Sequence, residues 1–244
     1  MRTVVQDAMN RICRARLERT LPGVLGELKA YAKGSDTTGT QPITLWFAVK
    51  SILQHKPAWI LESGTGSSTL VLAAAVQKLR KDCPGYQGRV VSMESIPEWH
   101  AIAAANLPEK YRDVVEIILG PREKFEMGIF RGYAHSNIPK QDFSFVLLDG
   151  PGYFDESGVA FCADVFKVMT LSDAPVIRGV VDGRASSVQV IQLLYGTASA
   201  RYWHSLYAAR FALKMIDFRN ATERTPKDYR CSAFGRLEFV KFRQ

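Results

Sequence analysis

The chain has 244 residues, 47% hydrophobic and 23% charged, and its 32 Lys and Arg outweigh 24 Asp and Glu for a formal charge of +8. That size and mix suit a globular fold with an ample core and exclude a disordered or fibrous chain. No apolar run approaches the roughly 18 residues of a membrane span, and the opening Met1 to Asp7 has no signal-peptide core, so a cytoplasmic protein without a membrane partner is expected.

Residues 1 to about 32 read as helical with a break at Pro22-Gly23, because Val5, Met9, Ile12 and Leu17, then Leu25 and Leu28, recur at helical spacing. Lys33 to Pro42 is dense in turn residues and reads as a loop, and Thr44 to Gln54 carries Leu45, Val49, Ile52 and Leu53 on one helical face. Residues 1–56 are therefore expected to form an N-terminal helical extension, followed by one domain over 57–244. From Trp59 onward apolar runs alternate with helical patterns. Strands are expected at Trp59 to Glu62, Arg89 to Glu94, Val114 to Leu119, Phe143 to Asp149 and Val176 to Asp182. Helices are expected at Ser68 to Lys81, Glu98 to Leu107, Glu123 to Arg131, Gly158 to Met169 and Ser186 to Tyr195. Such alternation predicts an α/β fold with a mostly parallel sheet, since parallel strands need crossover helices. After Gly196 the pattern changes, and Tyr202 to Ala209, Ala212 to Phe218 and Arg236 to Phe242 are expected to supply antiparallel C-terminal strands.

The segment Trp59-Ile-Leu-Glu-Ser-Gly-Thr-Gly-Ser-Ser-Thr-Leu70 carries most of the functional information. An apolar strand ends in Glu62, Gly64 and Gly66 let the backbone turn tightly beneath a ligand, and the serines that follow start a helix. A dinucleotide fingerprint needs a third glycine where Thr69 stands, which argues against a nicotinamide oxidoreductase, the alternative enzyme class. A phosphate loop needs a lysine, and none occurs between Pro57 and Lys78.

Glu62-Ser-Gly64-Thr-Gly66 resembles the first motif of the class I S-adenosylmethionine-dependent methyltransferases. The resemblance implies a Rossmann-like, doubly wound, seven-stranded sheet and S-adenosylmethionine as cofactor, held by Glu62, Ser63, Gly64, Thr65, Gly66 and Ser68. Arg89-Val-Val-Ser-Met-Glu94 ends a second strand in an acid about 30 residues later, as a doubly wound unit would. The resemblance makes Glu94 the acceptor for two ribose hydroxyls, with Ser95 beside it and Ile96 and Trp99 flanking the base. At the third strand end, where the family often carries an acid facing the base, this chain has Gly120-Pro-Arg122, leaving backbone groups or Glu123.

Phe143-Ser-Phe-Val-Leu-Leu-Asp149-Gly-Pro-Gly-Tyr153 delivers Asp149 to the carboxyl edge of the sheet, where ligands bind in open α/β folds. This string resembles those of small-molecule and sugar O-methyltransferases. It lacks the Asn/Asp-Pro-Pro-Tyr/Phe string of amine-methylating enzymes. A hydroxyl acceptor on a small molecule or sugar is thus expected, and its proton needs a base. Asp149 is the first candidate, also counted with the cofactor ligands, and His135 the second, with His204 behind them. Asp182, at the next strand end, would stand beside Asp149, a pairing that allows a divalent metal without favouring it. Arg184 beside them suits an anionic acceptor or a helix end.

The remaining readings are negative or open. Cys13, Cys83, Cys162 and Cys231 are scattered without metal or disulfide spacing. The basic residues are spread along the chain without aromatic interleaving, which disfavours nucleic acid as a partner. A homodimer is compatible with the pattern, as is a non-catalytic protein that binds S-adenosylmethionine on the same fold.

Overall fold

The computed structural model describes residues 4–33, 39–127, 130–155, 158–159, 161–216 and 241–242. Three helices come first: α1 (Val4–Thr20), α2 (Val24–Lys33) and α3 (Pro42–His55). Pro42 sits in the first turn of α3, where its missing N–H is no loss, and Lys56 ends the helix in the left-handed region with its N–H on the Ile52 carbonyl at 2.8 Å. There follow β1 (Trp59–Ser63), α4 (Ser67–Asp82), β2 (Arg89–Glu94), α5 (Pro97–Asn106), β3 (Val115–Leu119), β4 (Arg122–Met127), β5 (Phe130–His135) and β6 (Phe143–Leu148). The remainder comprises β7 (Phe154–Asp155), β8 (Gly158–Val159), α6 (Asp164–Leu171), β9 (Val176–Asp182), α7 (Ala185–Tyr195), β10 (Ala200–Trp203), β11 (Ala208–Lys214) and β12 (Lys241–Phe242).

Seven of these strands form one sheet in the order β10-β11-β9-β6-β1-β2-β3. Strands β9, β6, β1, β2 and β3 pair in parallel, and β11 lies antiparallel between β9 and β10. The order reverses at β1, with β6 on one side and β2 on the other. Ligands bind at such a switch point, where the loops leave in opposite directions and open a crevice.

Each sheet face buries its own apolar cluster. On one face Leu17, Leu21, Val24, Tyr31, Leu45 and Val49 from α1 to α3 join Leu72 and Val76 of α4 against Ile60 and Val90. On the other, Phe166 of α6 and Ile191 of α7 pack with Leu61, Val91 and Val146. Strands β1 and β6 are buried on both faces, which is why they read as continuous apolar runs.

Three expectations need correction. Residues 123–127 and 130–131 are strand rather than helix: β4 and β5 pair antiparallel as a hairpin, and β12 pairs with β5. The hairpin wins because Phe130 buries its ring edge-on against Phe161 at 6.5 Å, and Gly132 lets the Phe161 backbone approach closely, contacts no local propensity encodes. The helix expected from Gly158 begins only at Asp164, since Phe161 to Ala163 runs alongside β5 with backbone bonds to Tyr133. The strand expected over Tyr202 to Ala209 is interrupted by a tight turn at His204–Leu206, so β11 begins at Ala208. Of the two later stretches, Phe218 and residues 236–240 lie outside the described residues, while Lys241–Phe242 joins the hairpin sheet rather than the main one. Cys231 also lies outside the described residues. Among the described residues no helix is long and apolar enough to cross a membrane.

Candidate active site

An open cleft runs along the carboxyl edge of the sheet at the switch point, lined by the β1–α4 turn, the residues after β2 and β6, Thr40, His135 and Arg184. Gly64, Thr65, Gly66, Ser68, Glu94, Ser95, Asp149 and His135 from the sequence prediction all line it. Glu62 and Ser63 do not; both are fully buried beneath it.

Gly64 has φ +94°, and a β-carbon there would lie 3.0 Å from the Asp149 carbonyl oxygen and the Gly150 nitrogen. Only glycine permits this left-handed turn pressed against the neighbouring loop. Thr69, at the position of the absent third glycine, accepts a hydrogen bond from the Gly66 N–H at 3.1 Å and donates to Glu62 Oε2 at 2.6 Å. Ser92 donates to the same oxygen at 2.5 Å. Glu62 is thus the post on which the glycine turn is tied down. Burial pushes its carboxyl up to about 7, against the pull of hydroxyls on Ser68, Ser92 and Thr69, and the charge of Asp149 adds to the rise.

Glu94, 6% exposed, is oriented by the turn that follows it. The backbone N–H groups of Ser95 and Ile96 donate to Oε1 at 2.7 and 2.9 Å. Charge-assisted bonds of this kind hold a carboxylate in one orientation. Beside it Ile96 and Trp99, 45% and 43% exposed, form an apolar wall on the cleft.

At the other end Asp149 is clamped. Arg184 Nη1 donates to its Oδ1 at 2.6 Å, Arg184 Nη2 to its backbone carbonyl, and Thr40 Oγ1 to its Oδ2 at 3.1 Å. Asp182 lies close by, held by Thr44 Oγ1 at 2.6 Å and Gln41 Nε2 at 3.4 Å. Burial first, and then the charge of Asp149, raise its carboxyl to about 6. The pair foreseen at adjacent strand ends is present, but a guanidinium stands on it. Such a donor set does not fit a divalent metal, and among the described residues no group of three or more His, Cys, Asp or Glu converges as a metal-binding set.

His135, at the end of β5, has a fully buried side chain, and its Nδ1 lies 2.6 Å from Asp164 Oδ2. The Asp164 Oδ1 accepts the His135 backbone N–H at 2.7 Å, and Ser63 Oγ lies 2.5 Å from Oδ2, also within reach of the Gly150 carbonyl. Ser63 therefore braces β1 to α6 and to the loop after β6. Asp164 escaped the sequence reading although one signal was available, an acid inside the apolar run Phe161-Cys-Ala-Asp-Val-Phe166. His204 is exposed, packs edge-on to Tyr202 at 4.8 Å and does not line the cleft. Glu123 is paired with Lys167 at 2.6 Å.

No protein-family model matches the chain, and no curated protein matches it in sequence. Solved structures do resemble it. A methyltransferase from Geobacter sulfurreducens superposes with a TM-score of 0.50 at 15% identity, covering 84% of this chain and 97% of the other. An O-methyltransferase from Bacillus cereus in complex with SAH aligns at 18% identity and TM-score 0.48 over 80% of this chain and 90% of that one. An SAH-bound methyltransferase from Podospora anserina aligns at 16% identity and TM-score 0.46 over 75% and 72%. Together with the strand order, the Geobacter likeness shows the fold: a Rossmann-like α/β architecture with a mostly parallel seven-stranded sheet.

Proposed function

We propose that the protein is an S-adenosylmethionine-dependent methyltransferase acting on a hydroxyl of a small molecule or sugar. The observation that carries this reading is the pairing, along one cleft, of the Gly64–Gly66 cradle with a Glu94 carboxylate fixed by two backbone N–H groups. The cradle leaves open space above Gly66, where a β-carbon would meet nothing within 4 Å. These residues fit an adenosyl ligand: a carboxylate accepts a ribose diol, the glycine turn offers close backbone approach, and Ile96 and Trp99 cover a flat base.

The bound cofactor would supply an electrophilic methyl group on a sulfonium. The chain must then align a hydroxyl in line with it and take its proton. In this reading Asp149 is the base. Arg184 and Thr40 hold its carboxylate towards the cleft, and Asp182, raised to about 6 by burial and then by the charge of Asp149, is a second carboxyl close by. Residues 57–244 carry the cofactor site, and residues 1–56 reach it through Thr40, Gln41 and Thr44. Support for an oxygen acceptor comes from the acidic and cationic groups gathered at this end of the cleft.

Calorimetric titration with S-adenosylmethionine and S-adenosylhomocysteine tests the first half of the reading. Saturable binding is expected, and no binding overturns it. Release of S-adenosylhomocysteine across a panel of sugars and phenols tests the second half, while binding without release for any hydroxyl acceptor would favour a non-catalytic binding protein.

A further inference from the structure

His135 stands at the corner of the cleft formed by the hairpin that replaces the expected helix. A β-carbon on Gly120, just past β3, would sit 3.2 Å from the His135 β-carbon. Along the sheet edge the strand order sets Asp149 after β6, Gly64 after β1, Glu94 at the end of β2 and Gly120 after β3. A ligand whose diol meets Glu94 extends its base past the Ile96 and Trp99 wall towards this corner. Residues 120 to 122 offer no acid there.

The ring of His135 is set by its partner. A carboxylate oxygen facing a ring nitrogen at 2.6 Å accepts from it, so the contact to Asp164 selects the tautomer with its proton on Nδ1, in which Nε2 is the acceptor. That Nε2 is buried and has no hydrogen-bond partner among the described residues, while the residue lines the cleft. A buried acceptor left without a donor is costly, which suits a site completed by its ligand.

We infer that His135, locked in one tautomer by Asp164, reads the base of the bound nucleoside by accepting a hydrogen bond from the exocyclic amine of adenine. The inference rests on the adenosyl-cofactor reading. It makes His135 a cofactor-selecting residue in place of the proton acceptor of the methyl-transfer step, and Asp164 a positioning residue. Selectivity of this kind is steep because the wrong base sets a carbonyl oxygen against the lone pair.

The test compares dissociation constants, by calorimetry, for S-adenosylhomocysteine and its inosine analogue, in which a carbonyl replaces the amine. The wild-type protein should favour the adenosyl form by about tenfold or more. In Asp164→Asn the amide donates to Nδ1 and moves the ring proton to Nε2, which then donates to the carbonyl, so the ratio should fall to about one or invert. His135→Gln, whose amide can present either group, should bring the two constants within about threefold and decides the matter if Asp164→Asn fails to fold. A wild-type ratio near one, or a ratio unchanged in His135→Gln, overturns the inference while leaving the cofactor reading intact. Failure of wild-type protein to bind S-adenosylhomocysteine overturns both. Loss of turnover in His135→Gln with an unchanged ratio would return His135 to the role of base.

Discussion

Glu62 ties the glycine turn to the sheet, and its burial makes the turn's stability depend on pH. Its carboxyl stands at about 7 in the folded protein against 4.5 for the ordinary group. The folded state therefore binds this proton more tightly than the unfolded chain does, and the stabilisation it brings is complete below about pH 4.5 and lost as pH rises through about 7. At roughly 1.4 kcal/mol per unit, the difference amounts to about 3 kcal/mol between the two limits. Glu62→Gln removes the titration while its amide oxygen still accepts from Thr69 and Ser92. Urea unfolding followed by circular dichroism between pH 5 and 8 gives the stability of each protein. The wild-type curve should fall relative to the variant by about 2.5 kcal/mol across that range, so that the variant gains most at pH 8. Parallel curves would show that Glu62 keeps its charge in the fold, and would refute the argument that burial outweighs its hydroxyl partners.

Glu94→Ala should weaken S-adenosylhomocysteine by about 1 to 3 kcal/mol, read by calorimetry, because a fixed carboxylate is lost from the diol; an unchanged constant would move the nucleoside elsewhere. Gly64→Ala should cost about 1 to 3 kcal/mol of stability in urea unfolding, since a left-handed backbone and the Asp149–Gly150 backbone both resist the added methyl. Wild-type stability here would mean that the loop after β6 moves freely. Asp149→Asn should lower the carboxyl of Asp182 part of the way towards the ordinary range, because burial, the larger cause of its rise, remains while the like charge of Asp149 is gone; an NMR titration showing no shift would separate the two acids. The same variant should retain S-adenosylhomocysteine binding and lose turnover, and undiminished kcat would remove Asp149 as base.

Much of the fold was readable because its signals are local. Continuous apolar runs marked β1, β6 and β9, helical spacing marked α3 and α4, and Gly64 and Gly66 marked the turn between strand and helix. The placement of Glu94 and Asp149 on the cleft followed from their positions at strand ends, since a parallel sheet delivers the last residue of each strand to one edge. The hairpin of β4 and β5 was hidden because Arg122 to His135 carries mixed polar and aromatic residues whose choice between helix and strand depends on Phe161, some 30 residues away.

The sequence by itself determined a doubly wound sheet, a glycine cradle and the acids at its edge, since spacing along the chain is enough to specify each. Only the tertiary structure decided what surrounds those acids. Burial put Glu62 beneath the glycine turn, with Thr69 and Ser92 on its carboxyl, and Arg184, 35 residues from Asp149, set a guanidinium on that carboxylate. His135 met Asp164 across 29 residues and Ser63 met Asp164 across 101, which tied one ring nitrogen to a carboxylate and left the other without a partner among the described residues. A carboxylate's burial and partners come from chain segments far apart in sequence, and they set its charge and its role.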